Sequence, residues 1–287
     1  MPKISVLFPT YNTKEEHLRE AMESVLNQTF SDFEFIVLDD CSPDANVEKV
    51  VKSYTDPRIR FYRNERNLGI SQTRNKLIDL ASGEYLAVMD HDDVSLPERF
   101  EKEAAYLDAH PDVGLVSCQA ERFPCGDLMK NPENDKEIKL AMISGCPIIH
   151  SACMIRKSVL TDNAIRYEEE FSPAEDYMLF ARLMSKTKFY NIPEILFRYR
   201  WHNSNTTILQ AGKMERATFA IRALMQAEMP VLYNEFQLRA THTVRMWLFG
   251  FIPVLRIETH GYKTKVYLFN KLPLLNVKRS VKLREGQ

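Results

Sequence analysis

Across the first 120 residues, short β-branched or aromatic runs alternate with longer segments of helical period. Ile4–Phe8, Phe33–Leu38, Ile59–Tyr62, Glu84–Met89 and Val113–Ser117 predict strands, while Lys14–Asn27, Asn46–Tyr54, Ser71–Ala81 and Pro97–Ala109 predict helices. Strand, helix, strand at this spacing implies an α/β fold whose mostly parallel sheet is covered by helices on both faces. Beyond it the pattern weakens. Residues 119–145, rich in Pro, Gly, Asn and charge, read as a loop region; Ser151–Ile155 and Ile195–Tyr199 read as strands, and Ala174–Ser185, Thr207–Met229 and Pro230–Met246 as helices.

Sheets of this kind bind ligands at the carboxyl ends of their strands, and the polar residues fall there. Pro9-Thr10-Tyr11-Asn12 follows the first strand, Asp39-Asp40-Cys41-Ser42 the second, Asn64–Gly69 the third and Asp90-His91-Asp92-Asp93 the fourth. So many carboxylates on one rim would repel one another without a cation or a hydrogen-bonding ligand. Asp-x-Asp on a tight turn can aim two hard oxygens at Mg²⁺ or Mn²⁺, with substrate phosphates and water completing the shell. A nucleotide diphosphate suits that arrangement. The competing reading is a solvated acidic turn beside the start of the next helix.

With 45% hydrophobic and 27% charged residues in 287, the chain is composed like a globular protein, which excludes disorder, collagen and a disulfide scaffold. The five cysteines form no C-x-x-C pair, so reduced thiols are expected in preference to a zinc ribbon. The N-terminus lacks the apolar core of an export signal, and the ten residues Met246–Leu255, interrupted by Pro253, are too few to span a bilayer. A cytoplasmic location, peripheral on the inner face of the membrane, is expected.

The net charge of −1 hides an asymmetry, because residues 241–287 hold nine Lys/Arg against two Asp/Glu, or +7, leaving −8 for residues 1–240. That tail also repeats itself: Arg245–Ile257 aligns without gaps on Lys265–Val277, a shift of 20 residues. Aromatic residues among basic ones are expected of an element lying on an anionic membrane surface. Core packing on the domain or a homo-oligomer contact is the alternative, and no recognised motif supports nucleic-acid binding.

The segments Ser5–Asn12, Val37–Ser42, Asn67–Asn75, Gly83-Glu-Tyr85 leading to Asp90–Asp93, and Glu175-Asp176 opening a helix resemble, in order and spacing, the family 2 glycosyltransferases. These are inverting enzymes of the Rossmann-like GT-A fold that use nucleotide sugars. The resemblance covers roughly residues 3–205 and implies a catalytic domain at 1–205, with a nucleotide-binding half at about 1–118 and an acceptor half at about 119–205. A helical extension at 206–240 and the tail at 241–287 would follow. The pattern departs at Cys41, where the family usually has Gly.

The resemblance also implies roles. Pro9, Thr10, Tyr11 and Asn12 would line the nucleoside pocket, and Asp40 or Asp39 would accept from the base, favouring UDP. Asn67 and Arg74 would lie toward the diphosphate or donor sugar, although Arg74 also reads as an exposed helix residue. Asp90, with His91 beside it, would sit near the ribose or the metal, while Asp92 and His202 would bind Mn²⁺ or Mg²⁺. Asp176 would be the general base; Glu175 better fits stabilisation of the helix N-terminus.

The expected activity is metal-dependent, inverting transfer of one hexosyl or N-acetylhexosaminyl unit from a UDP-sugar to a hydroxyl of a lipid-linked glycan, in cell-surface polysaccharide or lipopolysaccharide synthesis. A processive polymerase would carry Gln-x-x-Arg-Trp, but Phe197 stands where Gln is needed before Arg200-Trp201. A non-catalytic nucleotide-sugar-binding scaffold is disfavoured by Asp90, Asp92 and Asp176 together. A nucleotidyltransferase should show a Gly-rich basic loop that Pro9–Asn12 lacks.

Overall fold

The computed structural model describes residues 1–203 and 205–239, and beyond them the backbone of four strands at 241–248, 252–260, 263–268 and 272–278. The chain divides into two units, Met1–Leu224 and Met225–Gln287. No helix of the described residues is long and apolar enough to cross a membrane.

The strands of the first unit are β1 (Ile4–Thr10), β2 (Phe33–Asp39), β3 (Ile59–Arg63), β4 (Tyr85–Val88), β5 (Val94–Ser95), β6 (Val113–Phe123), β7 (Asp127–Met129), β8 (Met154–Arg156) and β9 (Lys188–Arg200). Its helices are α1 (Glu15–Leu26), α2 (Asn46–Lys52), α3 (Ile70–Leu80), α4 (Arg99–Ala109), α5 (Asp135–Met142), α6 (Lys157–Asp162), α7 (Glu175–Leu183) and α8 (Thr206–Leu209). α9 (Ala211–Glu228) runs across the division and α10 (Pro230–Arg239) follows it.

The sheet runs β3-β2-β1-β4-β8-β6-β9-β5, with β7 beside β6. Its first four strands are parallel, whereas β8 is antiparallel to both β4 and β6. Every residue of β1 and β2 is buried, as in a sheet covered on both faces. α1 presents Leu18, Ala21, Met22 and Val25 to that core at helical spacing. From β1 the chain winds outward to β2 and β3, then returns to place β4 on the other side of β1. A crevice therefore opens where the strand order reverses, between the carboxyl ends of β1 and β4.

One close approach fixes the start of β4. A Cβ on Gly83 would lie 2.6 Å from the Ser5 backbone nitrogen, and the Gly83 N–H donates to Ser5 Oγ at 2.7 Å. Ser5 Oγ in turn donates to Glu34, its register partner on β2. Gly83→Ala must push these strands apart, and should lower stability by ~1–3 kcal/mol, read as a lower urea midpoint with an unchanged slope.

The structure departs from the expected elements where charge or proline hides the period. The expected loop at 119–145 holds the end of β6, the short β7 and α5, whose Ile138, Leu140 and Met142 are buried behind a charged first turn. β9 begins at Lys188, well before Ile195, because a register shift pairs Cys118 with Ile192 and Gln119 with Ile195. Pro193 and Glu194 fall in that bulge, where a missing N–H costs no ladder bond.

The helix expected over Pro230–Met246 stops at Arg239, and β10 (Thr241–Leu248) begins two residues later. The second unit carries an antiparallel sheet in the order β10, β11 (Ile252–His260), β12 (Lys263–Leu268) and β13 (Leu272–Lys278). The 20-residue repeat is a duplicated hairpin. Register shifts fall at Met246/Trp247 and Val266/Tyr267, pairing Trp247 with Pro253 and Tyr267 with Pro273 at the same offset.

Candidate active site

The β1 and β2 exits are tied together by Ser42. Its hydroxyl donates to Asp39 Oδ1 and accepts from the Asn12 N–H at 2.9 Å. Asp39 is fully buried, and its other oxygen accepts from Arg63 at 2.6 Å. Asp40 accepts from Asn64 Nδ2 and the Leu68 N–H, both at 2.8 Å, and from the Gly69 N–H at 2.9 Å. It thereby shapes the loop leading into α3. Thr10 is buried beside them, Tyr11 remains 45% exposed, and Asn67 accepts from the Gly69 N–H. Pro9 lies beyond the last β1–β4 pair, Leu7 with Val88, so its missing N–H breaks no bond on that side.

Cys41 adopts φ 62°, a left-handed conformation that glycine holds without a Cβ penalty. Cys41 thus stands in a conformation that would favour the Gly expected at this position. Cys41→Gly should be stabilising by up to ~1 kcal/mol, the relieved strain partly offset by glycine's greater unfolded-state entropy. Cys41→Val should be destabilising, and a thermal melt of both variants checks the pair.

A second cluster joins α3, the β4 exit and α7. Arg74 is buried, not an exposed helix residue; it donates to Glu175 Oε1 at 2.7 Å and to Asp90 Oδ1 at 3.1 Å. Its guanidinium lies over the Tyr167 ring, whose backbone N–H and C=O are both held by the Asn75 amide. Glu175 Oε2 and Arg74 Nε are buried without a partner among the described residues. Asp176 follows Glu175 in the first turn of α7 and accepts from the Tyr177 N–H at 2.7 Å. Burial, then the charge of Glu175, pushes the Asp176 carboxyl up to about 6, with Arg74 opposing.

A third cluster joins the β4 and β9 exits. His202 Nε2 lies 2.9 Å from Asp92 Oδ2. Arg200 donates through Nε to the Asp92 carbonyl at 2.6 Å and through its backbone N–H to Asp93 Oδ1 at 2.8 Å. Asp93 is buried, accepts from Ser151 at 2.7 Å and is pushed well above the usual carboxylate range by burial, then by Asp92 and Asp90. His91 lies between these carboxylates in sequence, its Nδ1 buried and unpartnered among the described residues.

Among the described residues, no group of three or more His, Cys, Asp or Glu side chains is arranged to hold a metal ion. Asp92 and His202 nevertheless supply two adjacent donors, a hard oxygen and an imidazole nitrogen, in a site crowded with negative charge. That is a fitting half-shell for a cation whose other ligands are phosphate oxygens and water.

The structure thus brings Arg74 to Asp90 and Glu175, and His202 to Asp92, while Tyr11 and Asn67 stand at the outer edge. Sequence reasoning missed His17, whose ring stacks on His202 at 5.9 Å from α1. It also missed the buried pairing of His150 Nε2 with the Tyr167 hydroxyl at 2.8 Å. Neither contact joins residues at a regular spacing, so no periodic signal announced them.

The crevice at the strand reversal, rimmed by carboxylates with a buried Arg and a helix-borne acid, fits a glycosyltransferase of the GT-A fold. Residues 5–163 match Glycosyl transferase family 2, and the chain belongs to that family. It is 34% identical over 222 residues to the uncharacterized glycosyltransferase MJ1057 of Methanocaldococcus jannaschii, covering 75% of this chain and 76% of that one. Among solved structures it is similar to S. aureus TarS 1–349 in complex with UDP-GlcNAc, with TM-score 0.68, 21% identity and coverage of 82% of this chain and 72% of that one. The mannosyltransferase PcManGT of Pyrobaculum calidifontis, in complex with GDP-Man and Mn²⁺, matches with TM-score 0.64 and 17% identity over 83% of this chain and 70% of that one.

Proposed function

We propose that the chain transfers one sugar from a UDP-sugar, with inversion and with a divalent cation, to a hydroxyl of a lipid-linked glycan in cell-surface polysaccharide or lipopolysaccharide synthesis. The observation that carries the reading is the Asp90–Arg74–Glu175 bridge, which ties the strand-reversal crevice to the first turn of α7, where Asp176 stands.

Uracil offers an N–H that a carboxylate of the Asp39–Asp40 pair can accept, against a wall of Pro9, Thr10, Tyr11 and Asn12. Asn67 closes the outer edge. Asp90 and His91 face the ribose and diphosphate, and Arg74 holds Asp90 in place while adding positive charge beneath the donor. Asp92 and His202, with Asp90 near them, would hold Mn²⁺ or Mg²⁺, which when bound offsets negative charge on the leaving diphosphate. Asp176 takes the proton of the acceptor hydroxyl as it attacks the anomeric carbon on the face opposite the diphosphate. Its raised pKa suits a base that works near neutrality.

Inversion has a direct test. An α-linked UDP-sugar should give a β-linked product, read from the anomeric coupling constant by NMR, and an α product would sink the mechanism.

The tail's +7 charge supports a peripheral role on an anionic membrane surface on the cytoplasmic side. Full-length protein should co-sediment with phosphatidylglycerol vesicles at low salt and be partly released as the Debye length falls to about 3 Å at 1 M salt. Indifference to anionic vesicles at low salt would reassign the tail to core packing or to a homo-oligomer contact.

A further inference from the structure

A groove of about 730 Å³ opens between α7 with its preceding segment and α9. It falls within the size range of small-ligand sites. We infer that this groove binds the phosphate group of the lipid-linked acceptor, an assignment that rests on the proposed transferase reading and defines its acceptor side.

The lining carries three cations, Arg182, Lys213 and Arg216, against a single carboxylate, Glu170. Arg182 already shares Glu168, at 2.9 Å. Lys213 and Arg216 sit three residues apart on one face of α9, where their like charges repel. An anion between them would turn that repulsion into attraction. Farther along the same face comes Leu224, and Phe171 lines the opposite wall. Along α9 the lining therefore passes from the cationic Lys213 and Arg216 to the apolar Ala217, Ala220 and Leu224, the pattern of a phosphate ester on a hydrocarbon chain.

Its position suits an acceptor. Phe171 lies five residues before Asp176, and Arg182 lies six residues after it on α7, about 9 Å along the axis. A short glycan anchored by its phosphate in the groove can bring a hydroxyl to Asp176. α9 is seated by the fully buried Ile221 and by Arg222, which donates to the Ser144 carbonyl.

The probe is farnesyl phosphate, with farnesol as the same chain lacking phosphate, titrated calorimetrically into full-length protein saturated with UDP and Mn²⁺ so that the nucleotide site is filled. Farnesyl phosphate should bind at least about tenfold more weakly to Lys213→Glu/Arg216→Glu than to wild type. Farnesol should bind weakly and equally to both, and Lys213→Arg/Arg216→Lys should bind like wild type. Equal UDP affinity shows that the variants fold; if the charge reversal fails that check, Lys213→Gln/Arg216→Gln replaces it.

Equal farnesyl phosphate affinity in wild type and charge-reversal variant, or equal binding of farnesol and its phosphate to wild type, would overturn the assignment. So would a parallel loss of binding to phosphatidylglycerol vesicles, because the cations would then be reading a bilayer surface. The two layers fail separately. Loss of groove binding with sugar transfer intact removes the groove alone, whereas absence of UDP release from every UDP-sugar removes the reading beneath it.

Discussion

Asp176→Asn should lower sugar transfer by roughly 10² to 10⁴, the range expected for loss of a positioned base, while leaving UDP affinity nearly unchanged. The amide keeps the volume of the side chain and can still accept from the Tyr177 N–H, so the first turn of α7 is preserved. What it cannot do is take a proton. The same group should set the pH profile. With its carboxyl raised to about 6, Asp176 is protonated and inactive as a base below that pH and ionised above it, so kcat/KM should rise through pH 6 and level off. The variant should lose that limb along with its rate. Near wild-type turnover in Asp176→Asn, or a wild-type acid limb retained in it, would show that another group takes the proton.

Asp92→Ala should abolish transfer and reduce UDP affinity chiefly when metal is present. In the proposed reading, Asp92 and His202 would hold the cation beside the diphosphate, so Mn²⁺ should tighten UDP. Without Asp92 the titration should look alike in Mn²⁺ and in EDTA. Equal UDP affinities across both proteins and both conditions would remove the metal role from Asp92. His202→Ala should act in the same direction with a smaller effect, since a neutral donor contributes less than a carboxylate to holding a dication.

The first four strands and the helices between them were legible because their apolar positions are periodic and the strands end in polar turns. α1 buries the face its sequence displays, and the four strand exits meet on one rim. Legibility failed where tertiary pairing overrides local signals. Pro193 reads as a strand breaker, yet β9 passes through it by a bulge. α5 is too short, and its first turn too charged, for its buried face to stand out. In the tail, the 20-residue repeat was visible but its hairpin pairing was not, because aromatic and apolar residues flanked by basic ones fit more than one kind of element.

At the site, the Asp-x-Asp spacing singled out Asp90 and Asp92 and the family resemblance pointed to Asp176 and His202, but neither announced the salt bridges that organise them. Arg74 reads alone as one more helical arginine; only the fold places Glu175, 101 residues away, within 2.7 Å of it. Cys41 shows the converse. The residue departs from the family pattern while the left-handed turn that glycine usually serves remains.

The most direct test of a UDP-sugar-dependent transferase is nucleotide release by the full-length protein across a panel of UDP- and GDP-sugars, each with Mn²⁺ and with EDTA. The account predicts that at least one UDP-sugar releases UDP in Mn²⁺, that EDTA suppresses the release, and that GDP-sugars stay intact. Release from GDP-sugars alone, undiminished release in EDTA, or no release from any UDP-sugar would contradict it.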